Sequence, residues 1–230
     1  GGGRRNMKGR IYGFIPDKLV LWVRNILSVS VSPKNRDKHL AYNKELWEKQ
    51  AASAKVGSYI ERQDALGDMK LGNRPASYNS CEVIAVCNLM TAFSGEKDKD
   101  IKGLSFPECL EYFERLGLSG GGRLGVSYKR MLTFLSELGI GCISYSYEDY
   151  KNGKLPGGQR AYVVTVYNDK KNIFKMIHTV CITKEKAGYA IHNDAKNSGR
   201  RFAAVNAAID AISSPASRPI GIICSFKKKP

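Results

Sequence analysis

Histidine is scarce in this 230-residue chain. There are three, beside six cysteines, and no two cysteines stand as Cys-x-x-Cys. Zinc-ligand spacing is therefore absent, and neither a metal nor another cofactor is implied. Long apolar runs are also missing. The longest candidate, FIPDKLVLWVRNILSVSV, is broken by Asp17, Lys18 and Arg24. It falls short of the roughly 20 apolar residues that a transmembrane helix needs. Acidic residues are few: 21 Asp and Glu against 37 Lys and Arg, a net charge of +16. Such an excess suits contact with nucleic acid, anionic membrane or acidic protein surfaces. The basic residues are scattered, however, which favours a solvated basic protein over a nucleic-acid binder. No internal repeat is present. SGGGRLG lacks the Gly-Lys-Ser/Thr ending of a phosphate loop and follows no strand. It reads as a flexible loop at a cleft edge.

Hydrophobic residues make up 43% of the chain and charged residues 25%, enough to build a packed core. A chain this long needs no disulfides to compensate for a small core. Cys87, Cys109, Cys142, Cys181 and Cys224 fall in apolar surroundings and read as small buried hydrophobes in a reduced, cytoplasm-like environment. The opening GGGRRNMKGR, without an initiator Met, reads as a flexible lead on a processed or excised piece.

Residues 16–30 are expected to form a short amphipathic helix. Leu19, Val20, Trp22, Val23, Ile26 and Leu27 make its apolar face, which is expected to pack against the main domain rather than lie on a membrane. A second helix is expected over 37–55, and a Gly-, Asn- and Pro-rich linker over 66–79. The domain boundary falls near residue 60: an N-terminal helical appendage and linker over 1–60, and the main domain over 61–230. SCEVIAVCNLMTAF has little polar face and reads as a buried helix. SFPECLEYFERLGL carries Ser105 and Glu108 at capping-box spacing, Pro107 in its first turn and Gly117 at its end. YKRMLTFLSELG is a further helix. From residue 140 the pattern changes to short β-branched and aromatic runs, with a hairpin turn at KEKAG and one helix in RFAAVNAAIDAIS. Helices first and antiparallel strands afterwards make an α+β fold.

Cys81 stands where polar turn residues meet the buried helix. A thiol at a helix N-terminus has its pKa lowered, and a nearby imidazolium lowers it further. His178 opens a strand in KMIHTVCIT. His192 lies in YAIHNDA on the next strand and is expected to face away from the site. A helix-start Cys, a strand His about one hundred residues later and an Asn-Asp pair ending the next strand form an ordered set. In NSCEVIAV, IHTVCIT and IHND, the chain resembles the papain-like cysteine peptidases over residues 73–225. The nearest likeness is to their compact bacterial branch, which includes peptidases that cut bacteriocin leaders at double-glycine sites.

The resemblance implies helices, with the nucleophile at the start of a buried one, packed on a C-terminal antiparallel sheet. It also implies Cys81 as nucleophile, His178 as general base, and Asp194 or Asn193 as the residue orienting the imidazole. The branch's usual spacing of sixteen residues from the His favours Asp194, and so does strand parity. The family's oxyanion-hole Gln would fall at Pro75, which has no side-chain donor. Asn79 or Asn73, with the backbone N–H of Cys81, is expected to replace it. Cys-Glu also stands where many members have Cys-Gly.

The expected function is a thiol hydrolase that cleaves a peptide or isopeptide bond in a peptide or protein substrate. A transglutaminase- or acyltransferase-like enzyme would use the same residues with an amine as acceptor. A non-enzymatic basic module would use none of them. A basic papain-like domain also suits the toxic C-terminal piece of a secreted bacterial effector, delivered into a target cell and restrained by an acidic immunity protein.

Overall fold

The computed structural model describes residues 16–94, 103–168, 177–213 and 218–227. The arginine-rich lead and most of the charged loop after Ser94 lie outside these residues. The fold is mixed α+β. Helices α1 (Asp17–Ile26), α2 (Pro33–Ala54), α3 (Ala76–Asn79), α4 (Cys81–Ser94), α5 (Phe106–Leu116) and α6 (Tyr128–Glu137) precede or flank the sheet. Helices α7 (Tyr147–Lys151) and α8 (Val205–Ile212) lie within its connections.

The sheet has five strands: β1 (Ile140–Tyr145), β2 (Ala161–Tyr167), β3 (Ile177–Glu185), β4 (Gly188–His192) and β5 (Pro219–Lys227). Their order is β4-β3-β2-β5-β1, and every neighbouring pair is antiparallel. The hairpin between β3 and β4 pairs Glu185 with Gly188, so Lys186 and Ala187 form its two-residue loop.

Alternation along the strands divides the apolar side chains between two cores. Ala161, Val163, Cys181 and Ile223 face α4 and the other N-terminal helices. Tyr162, Val164, Val180, Ile182, Ile191 and Ile222 face α8. Helix α4 lies across β3, and all of it except Thr91 and Ser94 is buried. This matches a sequence with almost no polar face. No disulfide joins the six cysteines, and only Cys142 is partly exposed.

Local signals set several boundaries. Ser105 and Glu108 form a reciprocal capping box on α5, and the Ser127 side chain caps α6 by accepting from Arg130 N–H. Helix α2 starts at Pro33 rather than 37 because proline suits the first helical turn, where its missing N–H costs nothing.

Residues 16–60, expected as an appendage, share the α4-side core. Ala54 and Ile60 belong to it, and Leu21, Leu46 and Trp47 pack against it. Helix α2 is fixed on α5 by Arg36–Glu111 at 3.0 Å, His39–Glu114 at 2.6 Å and the Trp47 ring 5.2 Å from Phe106. The expected linker over 66–79 is folded. A 3-10 turn at Gln63–Leu66, a ladder pairing Lys70–Leu71 with Arg74–Pro75, and α3 fill it. Leu66, Met69, Leu71 and Ala76 are fully buried there.

Helix α1 also departs from expectation. Its Asp17 and Arg24 point inward, while Leu19, Trp22, Val23, Ile26 and Leu27 are exposed. Asp17 is tied to Arg218 at 2.5 Å and accepts from the Tyr167 hydroxyl at 3.0 Å.

Phe113 and Phe134 meet at 4.9 Å in the core beneath α4, and both are fully buried. Phe113→Ala should cost about 3–5 kcal/mol. In urea unfolding the midpoint should fall with the m-value unchanged.

Candidate active site

Helix α3 and Ser80 lead directly into α4, so Cys81 occupies the first helical turn. The Ser80 carbonyl already accepts from Ile84 N–H at 2.8 Å. A cavity of about 520 Å³ opens at this junction. It is lined by Cys81 and Glu82 of α4, Ile177 and His178 of β3, Asn79, and Gln63, with α1 as its other wall. The glycine loop also contributes, through Arg123, Leu124 and Gly125.

The resting thiol is held away from the imidazole. Cys81 Sγ lies 3.3 Å from Glu82 Oε2 and 3.9 Å from the Ile177 carbonyl. No hydrogen bond joins Cys81 to His178. Burial pushes the Cys81 thiol well above its ordinary pKa, and the Glu82 carboxylate pushes it further; the Thr179 N–H and Arg24 oppose both. A helix N-terminus should stabilise a thiolate, but here it also carries Glu82 in its first turn. Burial and Glu82 thus both favour the protonated thiol over the thiolate.

Glu82 is 1% exposed and pairs with Arg24 of α1 at 2.6 Å. Arg24 also donates to the Leu124 carbonyl. Removing one partner from a buried pair typically costs about 3–5 kcal/mol, because the other charge is left alone in the core. Gly125 fits this packing. Its φ is +67°, and a Cβ there would lie 2.5 Å from Glu82 Oε2 and 3.0 Å from the Asn79 carbonyl.

His178 leaves β3 on the parity of Val180 and Ile182, the side away from α4. It still reaches the cavity because β4 ends at His192, opposite Cys181, leaving the edge of β3 open beyond that point. His178 Nε2 lies 2.9 Å from the backbone carbonyl of Asn193. A carbonyl can only accept, so Nε2 carries the proton in the neutral ring and Nδ1 is left as the proton acceptor. Nδ1 has no hydrogen-bond partner among the described residues.

The His178 ring is thus held by a main-chain carbonyl rather than by a side chain. Asn193 is the one non-glycine among the described residues with positive φ, at +62°. Its N–H donates to Glu61 Oε2 at 2.8 Å, and its side-chain amide donates to Gln63 Oε1 at 3.3 Å. Asp194, which the spacing favoured, turns elsewhere. Its carboxylate accepts from Lys196 N–H at 3.1 Å and from Asn197 Nδ2 at 2.8 Å, closing a turn. Strand parity misplaced it because the left-handed residue at 193 ends the alternation.

His192 is buried outside the cavity lining. Its Nδ1 meets Glu61 Oε1 at 2.6 Å, its Nε2 meets the Thr183 hydroxyl at 2.7 Å, and its ring stacks on Tyr59 at 3.9 Å. Asn79, expected as an oxyanion donor, lines the cavity, but its amide N–H groups go to the carbonyls of Gly122 and Leu71. Asn73 is exposed beside Gly121.

Arg24, Glu61 and Gln63 were not singled out in the sequence. Gln63 is the informative one. It carries the primary amide that Pro75 cannot supply, delivered from a 3-10 turn eighteen residues before Cys81. Its Nε2 makes only long contacts, 3.3 Å to the Ser77 carbonyl and 3.5 Å to that of Ala76. No local signal marks it, because a fold in the expected linker brings it to the cavity. Among the described residues no cluster of three or more His, Cys, Asp or Glu could hold a metal. Comparison with protein-family models, curated proteins and solved structures found no match.

The Glu82 charge raises the Cys81 pKa, so Glu82→Gln should lower it and enlarge the thiolate fraction at any pH below it. At pH 7.5, Cys81 in that variant should react with iodoacetamide faster than in the parent, as read by mass spectrometry of the labelled peptide. An equal or slower rate would contradict the assigned cause.

Proposed function

We propose that this chain is a thiol hydrolase of papain-like architecture that cleaves a peptide or isopeptide bond. The observation that carries the proposal is one cavity shared by a thiol at the head of a buried helix and an imidazole whose Nε2 is fixed by a carbonyl. That tautomer leaves Nδ1 to accept the thiol proton, as a general base must. Catalytic hydrogen bonds are often long or unformed without substrate. Here the thiol has to turn from Glu82 to Nδ1 as substrate enters.

In the proposed cycle Cys81 Sγ attacks the substrate carbonyl carbon while its proton passes to His178 Nδ1. The oxyanion is met by the Cys81 backbone N–H and by Gln63 Nε2, whose long contacts to two carbonyls are weak enough to exchange. The imidazolium then returns the proton to the leaving amine, and the carbon–nitrogen bond breaks to give a thioester. Water, deprotonated by the same imidazole, releases the acid and restores the thiol. Asn193 acts through its carbonyl, and Glu61 holds that carbonyl in place by accepting the Asn193 N–H.

The test is cleavage of a complex peptide library, read as new termini by mass spectrometry. The parent should cut a defined subset of peptides, and Cys81→Ala and His178→Ala should not. Gln63→Ala should lower the cleavage rate by about 10²–10³. Asn193→Gly should keep most of the activity, because it retains the carbonyl and tolerates positive φ. Cleavage that survives Cys81→Ala, or no cleavage by the parent, would overturn the proposal.

A further inference from the structure

Helix α1 is amphipathic with its faces reversed. Two of its three charged residues go inward, Arg24 to Glu82 and Asp17 to Arg218. Its apolar residues at i, i+3, i+4 and i+7 face water: Leu19 is 44% exposed, Trp22 57%, Val23 36% and Ile26 54%. Val29, just beyond the helix, extends the stripe. Scattered exposed hydrophobic side chains are ordinary, but a continuous stripe with a tryptophan at its centre marks an interaction face.

Charge identifies the partner. Between residues 1 and 18 the chain carries Arg4, Arg5, Lys8, Arg10 and Lys18 against a single acid, Asp17. That acid is already neutralised by Arg218. Lys18 is exposed at the flank of the stripe. A second copy of this chain would bring the same cations, and a net charge of +16, against themselves. An anionic bilayer matches both features. Its headgroups attract the basic segment, and its acyl boundary receives the apolar face, with tryptophan at the depth where that ring is favoured. No helix among the described residues is long and apolar enough to span a membrane.

We propose that α1 docks this protein on anionic membrane surfaces through Leu19, Trp22, Val23 and Ile26, with Lys18 and the net charge of +16 supplying the attraction. The proposal is independent of the thiol chemistry. Leu19 and Val23 also line the cavity, so docking brings the mouth of the site to the lipid surface.

The test is co-sedimentation of the full chain with vesicles of phosphatidylcholine, with and without phosphatidylserine. Binding should require phosphatidylserine and weaken as salt rises. The double substitution Trp22→Glu, Ile26→Glu lies outside the cavity lining and should reduce vesicle affinity about tenfold or more. Its circular dichroism and melting should match the parent. A second readout stands apart from that variant's folding: with Trp47→Phe, the remaining Trp22 emission should move to shorter wavelength on anionic vesicles. Absence of binding, binding unchanged by the double substitution, or no Trp22 shift would overturn the proposal. So would a concentration-dependent dimer that the same substitution abolishes, which would assign the stripe to a second copy.

Discussion

A carboxylate buried beside a thiol organises the whole N-terminal side of the molecule. Glu82 has almost no access to water, and an ionised group in that position needs a partner in the core. Arg24 supplies it, and Arg24 comes from α1. The orientation of α1 follows from this pair. The helix turns its charged side in, and its apolar side is left outside. The glycine loop is shaped by the same group, since Gly125 lies where any side chain would collide with Glu82. The raised pKa of Cys81 follows as well, because burial disfavours the thiolate and the Glu82 charge adds to that. One buried acid thus links the resting chemistry of the site, the form of a loop and the exposure of a hydrophobic stripe.

The second organising feature is the residue after β4. At Asn193 a left-handed backbone sends the N–H to Glu61 and the carbonyl to His178. Glu61 also binds His192, so a hairpin end, a strand end and an imidazole are tied through one carboxylate. The tie fixes which ring nitrogen of His178 is free. Gln63 completes the arrangement by bridging the Asn193 side chain to the carbonyls that precede Cys81. The two halves of the cavity are therefore coupled through side-chain amides as well as through packing.

Much of the fold was legible because its signals are local. The capping box at Ser105 and Glu108 is written in four residues, and the β3–β4 hairpin in five. The buried character of α4 shows in its lack of a polar face. Features that depend on distant partners were not legible. Nothing near α1 announces that Arg24 will meet Glu82 fifty-eight positions later, so its apolar face was assigned to the wrong side. The segment over 66–79 has the composition of a linker, yet Leu66, Met69 and Leu71 draw it into the core. Cys81 and His178 were legible as candidates, and they do line one cavity. The carbonyl that holds the His178 ring was not, since side-chain spacing pointed to Asp194 and only the backbone turn at Asn193 brings the carbonyl there.

The central claim is that the Asn193 carbonyl holds Nε2–H of His178 and leaves Nδ1 as the free nitrogen in the cavity that Cys81 also lines. Nitrogen-15 NMR of the histidine side chains across a pH titration tests it most directly. The account predicts that neutral His178 is the Nε2–H tautomer in the parent and in Cys81→Ala alike, because the Asn193 carbonyl and not the thiol fixes it. An Nδ1–H tautomer would contradict it.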